Sequence, residues 1–122
     1  MQHGLFAKRF NAVMTGDMEE KMTIFEAIAT QKAITSIYNR GQVILAPHIL
    51  YTKNDALHID AVTLERDGQP PREAKIGTFR LDGLKDVALS ERNFAISELF
   101  DANDAKYADA TLFKVEAEPL AG

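Results

Sequence analysis

Arg80 closes the stretch Lys75-Ile76-Gly77-Thr78-Phe79-Arg80-Leu81, in which Phe79 and Leu81 alternate with Thr78, Arg80 and Asp82. Successive side chains of a strand point to opposite faces, so this pattern predicts a strand with one buried face and Arg80 opposite Phe79. A guanidinium fixed on a strand can grip phosphate or carboxylate through a bidentate fork. The competing reading is a solvated charge paired with Asp82 or Glu65. Arg72 and Lys75 flank a loop beside this strand and can add to a basic patch. His48 and His58 fall on neighbouring predicted strands, and His58-Ile59-Asp60 sets an imidazole and a carboxylate on one strand face. Tyr51 and Tyr38 offer rings that could stack on a planar ligand, as aromatic side chains do on nucleobases, or that close the edge of a core with wet hydroxyls. Arg80, Lys75, Arg72, His58, His48 and Tyr51 are therefore the candidate ligand-binding residues.

Other chemistry has little to work with. A metal site needs three or four converging ligands, and the sequence offers His48, His58 and Asp60 at most, with His3 remote. The expectation is no metal and no cofactor. Zero cysteines remove disulfides and thiolate chemistry. No phosphate-binding loop, Gly-rich dinucleotide turn, zinc-protease helix or serine elbow occurs, so the chain reads as non-catalytic.

The elements that must hold these residues are mostly strands. Ile34–Tyr38, Gln42–Thr52, Leu57–Arg66, Lys75–Leu81 and Val87–Phe94 carry period-two or β-rich patterns. Turns are expected at Asn39-Arg40-Gly41 and Lys53-Asn54-Asp55, and a loop at Asp67-Gly68-Gln69-Pro70-Pro71. Pro47 inside the second strand predicts an edge or a bulge, because its missing N–H would leave a hole in a central ladder. Thr23-Ile24-Phe25-Glu26 has the spacing of a capping box, which predicts a helix over 24–32 with Ile24, Phe25, Ile28 and Met22 on its buried stripe. Leu5, Phe6, Phe10 and Val13 suggest a short helix or arm before it. Beyond the strands, a short helix or turn near Ser97–Phe100 and a last strand at Thr111–Glu116 are expected. Together these predict a helix in front of a small, strongly bent antiparallel sheet or barrel.

The chain has 122 residues and is 46% hydrophobic, enough for one core. No apolar run approaches a membrane span and no signal-peptide centre is visible, so a soluble, cytoplasmic protein is expected. The net charge of −4 argues against a general nucleic-acid coat. It is uneven: six acids against Lys106 and Lys114 fill Glu98–Gly122, leaving the remainder neutral. That tail reads as a solubilising acidic extension.

The order of helix, Ile34-Thr35-Ser36-Ile37-Tyr38, a strand with Ala46-Pro47-His48-Ile49-Leu50, then Leu57-His58-Ile59 with Ala61, then Phe79-Arg80-Leu81-Asp82 with Leu84 and Val87, resembles the WYL domain family over about Thr23–Phe94. Leu57-His58-Ile59 stands where the family has its Trp-Tyr-Leu triplet, and Thr78 and Gly83 stand at its flanking basic positions. The resemblance implies an SH3/Sm-like five-stranded antiparallel barrel behind an N-terminal helix, mainly β with α. It divides the chain into an arm over 1–22, a WYL-like domain over 23–97 and the acidic extension over 98–122. It also implies a sensor of nucleotides or single-stranded nucleic acid linked to bacterial transcription regulation. The 22 residues before the helix are too few for a three-helix DNA-reading domain, so a partner protein would supply one. The competing expectation is a structural or homo-oligomeric module that pairs exposed strand edges through the arm or the Pro47 strand.

Overall fold

The computed structural model describes residues 18–116. The expectation for Leu5–Val13, and most of the proposed arm, lies outside the described residues. A helix, α1, spans 18–30, and six strands follow: β1 Lys32–Tyr38, β2 Gly41–Lys53, β3 Ala56–Arg66, β4 Ile76–Arg80, β5 Lys85–Asn93 and β6 Thr111–Lys114. The protein is mainly β. All pairings are antiparallel, in the order β4-β3-β2-β1-β5, and β6 pairs with β2 off that path. The sheet bends but does not close, since β4 and β5 are linked by the 3₁₀ turn Leu81–Gly83 and share no ladder. Among the described residues no helix is long and apolar enough to cross a membrane.

Turn chemistry sets the register. Asn39 and Arg40, and then Asn54 and Asp55, take left-handed backbone angles at both central positions. That is the type I′ geometry whose twist matches the flanking strands. Arg66 fixes the first turn from across the sheet, its guanidinium donating to the carbonyls of Tyr38 and Asn39 at 3.3 and 3.2 Å. Gly41 leaves room for it: a Cβ there would stand 2.7 Å from the Arg66 Nη2.

The capping-box expectation fails. Thr23 lies inside α1, which already runs from 18, and the helix ends where Gln31 turns left-handed. Its buried stripe is Ile24, Ala27 and Ile28, while Met22 faces solvent. Residues 18–22 are already helical, so Thr23 stands inside the helix and no capping residue is needed there.

Pro47 sits at a bulge, as its missing donor requires. β1 pairs with β2 as far as Leu45 and β6 takes over at Ile49, so Pro47 falls in the gap between two neighbours. The register against β3 shifts between Pro47 and Ile49, inserting one residue, His48. An inserted residue flips the faces that follow it. Val43 and Leu45 face the main core before the bulge and Leu50 faces it afterwards, while Ile49 and Tyr51 turn to the opposite side.

The sheet therefore has two dressed faces. One packs Leu50, Ile59 and Phe79 with α1, through Ile24 and Ile28. The other packs Ile49 and Tyr51 under Phe100, Tyr107 and Ala110. The segment 94–116 is thus a packed strap that includes the sixth strand. Its acids face water, but Tyr107 and Val115 are buried.

Candidate functional site

Strand pairing lays Arg80, His58 and Tyr51 side by side in one row across β4, β3 and β2. Cross-strand partners share a face, so Arg80 and His58 project together, opposite Phe79 and Ile59. The alternation predicted for this strand is present.

Arg80 ends β4 and enters the wall of a cleft of about 480 Å³. The cleft lies between the start of α1, the β2–β3 turn, the 3₁₀ turn and the start of β5. Its charged lining is Lys21, Arg80 and Lys85 against Glu20, Asp55 and Asp82, with Leu57, Leu81 and Leu84 at its apolar floor. Arg80 Nε lies 3.0 and 3.1 Å from the two Asp82 carboxylate oxygens. Both side chains are well exposed, at 62% and 70%. Water screens such a pair, so it costs little to rearrange.

The other candidates separate. Lys75 lines a groove with Arg66, Pro70, Pro71 and Glu73 on the far side of the loop, and Arg72 is exposed on that loop. Neither lines the Arg80 cleft. His58 is half-buried, with Nδ1 against the Ala56 carbonyl at 3.1 Å. Its ring lies 5.9 Å from that of Tyr51.

His48 and Tyr51 are enclosed, both at 0% exposure. The bulge turns them under the strap, where neither presents a surface to a ligand. Tyr51 donates its hydroxyl to Asp60 Oδ1 at 2.7 Å. His48 Nδ1 donates to the Ala46 carbonyl at 2.8 Å, and its Nε2 accepts the Ser97 amide at 2.9 Å. That pair of bonds fixes the neutral Nδ1–H tautomer. Burial lowers its pKa, which the Ala46 bond only partly offsets.

Asp60, which the sequence offered only as a neighbour of His58 and a possible metal ligand, is the centre of a buried cluster. It is 2% exposed. Oδ1 accepts from Tyr51 and, at 2.8 Å, from Thr78, while Oδ2 accepts from Tyr107 and from Lys106, the last at 2.8 Å. Burial pushes the Asp60 carboxyl up, but the four donors outweigh it and hold the pKa below the ordinary carboxylate value. Asp60 in turn raises the Lys106 ammonium, and burial and then Asp60 raise both phenols. Lys106 and Tyr107 come from the 3₁₀ turn Ala105–Tyr107, which Asp104 caps by accepting from the Lys106 amide. No sequence signal short of the fold ties this turn to Asp60, 46 positions before Lys106, because the contact is purely tertiary.

Among the described residues no buried side-chain polar atom lacks a partner, and no group of three or more His, Cys, Asp or Glu converges as a metal site. The Asp60 cluster is closed and saturated. Within the candidate set, Arg80 opens onto a cavity with two further cations, Lys21 and Lys85, and Lys75 onto one of about 500 Å³ with a single further cation, Arg66. No protein-family model, curated protein or solved structure matches the chain.

Proposed function

We propose that the protein is a non-catalytic regulatory module that takes a mononucleotide-sized anion in the Arg80 cleft. The observation that carries this reading is the meeting of Arg80, Lys21 and Lys85 around one cavity whose volume falls in the range of small-molecule sites. Phosphate would lie on those cations. Asp55, with Asp82 once it releases Arg80, would accept hydrogen bonds from amino or hydroxyl groups of the same ligand, and Leu57, Leu81 and Leu84 would take an apolar flank. A continuous nucleic-acid strand fits less well, because the carboxylates repel a polyanion and Tyr51 is not free to stack.

The resemblance to WYL domains agrees with this class of ligand and with a role in transcription regulation beside a DNA-binding partner. The SH3/Sm-like barrel belongs to the same proposal. The five-strand path β4-β3-β2-β1-β5, with one short 3₁₀ link between its end strands, supports it, while β6 and the open seam are additions to it.

The test is thermal unfolding of the full chain with inorganic phosphate, nucleoside monophosphates, dinucleotides and an oligonucleotide. A ligand that binds only the folded state stabilises it by about 2.7 kcal/mol at a hundred times its Kd. Mononucleotides should raise Tm and Arg80→Ala should abolish the rise. No rise with any of these ligands, or an equal rise in Arg80→Ala, would remove the reading.

A second reading rests on the seam itself. β4 and β5 each have an edge without a ladder partner among the described residues. Free edges invite pairing between copies. A dimer or ring that forms with increasing concentration and ignores nucleotides would favour it.

A further inference from the structure

The strap crosses the outer face of β2 and β3 and is held there at two places by buried titratable groups. At the first, the Ser97 amide donates to His48 Nε2, and the imidazole lies between Phe94 and Phe100, at ring distances of 5.1 and 5.3 Å. At the second, Lys106 and Tyr107 bind Asp60. Backbone bonds complete the attachment, from Thr52 to the Ala110 carbonyl at 3.0 Å and from Val115 to the His48 carbonyl at 2.8 Å. Each polar clasp works in one protonation state only.

We propose that residues 94–110 of this strap are released by acid: protonation of His48 opens the Ser97 end first and protonation of Asp60 frees the Lys106–Tyr107 end afterwards. The chemistry at the first clasp is an exchange of roles. Nδ1 already carries its proton toward Ala46, so an added proton must go to Nε2. There it replaces the lone pair that receives the Ser97 N–H, setting two donors face to face between two rings that cannot accept in their place. The imidazolium gains no compensating carboxylate. The charged residue lining its pocket is Arg92, and the carboxylate that Arg92 meets, Glu65, is bonded to it at 2.7 Å.

Asp60 behaves differently. Protonation removes the charge that holds Lys106 and spends one acceptor position on a proton, while Tyr51, Thr78 and Tyr107 still point at it. Both phenols remain neutral, so Tyr51 and Tyr107 keep their protons to donate. This clasp therefore loosens only in stronger acid.

The direction of each pKa agrees with the order. His48 binds its proton less readily in the closed strap than at its ordinary value of 6.5, so closure is fully favoured above 6.5 and is lost as pH falls below it. Asp60 likewise favours closure above its ordinary 3.8 and loses it below. One proton taken up on opening multiplies the open population about tenfold per pH unit. Among the described residues no buried histidine or carboxylate packs on the α1 face of the sheet, where Ile24, Ile28, Ile34 and Ile59 are buried. The sheet should stay folded while the strap opens.

Amide hydrogen exchange of the full chain, expressed as protection factors to remove the intrinsic pH dependence, tests the first clasp between pH 7.5 and 4.5 and the second below 3.8. The Tyr107 amide should lose protection only after Ser97 has; loss at Tyr107 before Ser97 would overturn the order. Protection at Ser97 should fall about tenfold per pH unit below 6.5, while Ile34, Leu45 and Ile59 keep theirs. His48→Gln supplies a neutral oxygen acceptor that does not titrate, and should flatten the Ser97 response. Should that variant not fold, nitrogen chemical shifts of the His48 ring in the native chain replace it. They should report an Nδ1–H tautomer at neutral pH and a second proton arriving with the Ser97 opening. Strap and sheet losing protection together, a pH-independent Ser97, an unchanged response in His48→Gln, or a ring that titrates without the Ser97 opening would each overturn the proposal. Nucleotide binding at the Arg80 cleft plays no part in this readout.

Discussion

Two polar regions lie close together on this sheet and obey opposite rules. Around Asp60 every lone pair is used, the carboxylate is out of water, and the donors come from β2, β4 and the strap. Around Arg80 the charges are exposed, mixed in sign and arranged about empty space. A saturated buried network rigidifies and has nothing left to offer a ligand, whereas an open one can exchange an internal partner for an external one at small cost. A high density of polar contacts therefore does not by itself favour a cluster as a binding site. The richest cluster is the fastener, and the sparser one is the proposed site.

The largest effect should come from breaking the fastener. Asp60→Ala leaves the Tyr51 and Tyr107 hydroxyls buried without an acceptor, while Lys106 can turn into solvent and so contributes less. The expected loss is about 3–5 kcal/mol in denaturant unfolding. Tyr107→Phe removes one donor from a carboxylate that retains three others and should cost about 1–2 kcal/mol. If Asp60→Ala costs no more than Tyr107→Phe, the cluster is not a fastener and the comparison collapses. Next in size is the nucleotide stabilisation at the cleft, lost in Arg80→Ala, with the unliganded stability of that variant within about 0.5 kcal/mol of native.

A smaller effect tests how the site is carried. Gly41→Ala would drive a methyl into the Arg66 guanidinium and displace it from the Tyr38 and Asn39 carbonyls. The cost should be about 1 kcal/mol, and Arg66→Ala should cost nearly the same. Combined, they should cost little more than either alone, because both remove one interaction. Full additivity would mean that the close approach of Gly41 and Arg66 does no work in the turn.

What was legible in the sequence follows from the range of the forces involved. The strands were readable from alternation or β-rich runs, the first two hairpin turns from Asn-Arg-Gly and Asn-Asp, and an edge or bulge from Pro47, because all are local consequences of backbone sterics. Arg80 was readable as a strand residue opposite Phe79 for the same reason. The start of α1 was not, since Thr23 and Glu26 have capping spacing wherever they fall and only the preceding turn decides whether they cap. The fates of His48 and Tyr51 were hidden by the single inserted residue, which moves everything after it to the other face. The strap was hidden by its composition: acids on its wet side make it look like a solvated tail, while Phe100, Tyr107 and Val115 on its dry side are too widely spaced to form a period.

The finest cut between the two regions is Asp82→Asn. Asp82 is the internal partner that Arg80 must release to receive an anion, and both side chains are mostly in water. At a separation near 3 Å and the dielectric of water, the attraction is only about 1 kcal/mol. Removing the charge while keeping the size should change stability by less than about 0.5 kcal/mol. It should also tighten phosphate and mononucleotide binding about threefold to fivefold, since the anion no longer competes with a resident carboxylate and meets one fewer like charge. The measurement is an isothermal titration of Asp82→Asn beside the native chain and Arg80→Ala, with weaker binding in the last. Tighter binding in Asp82→Asn that persists when Arg80→Ala is added would place the anion on Lys21 and Lys85 instead, moving the site within the cleft while leaving the contrast with Asp60 intact.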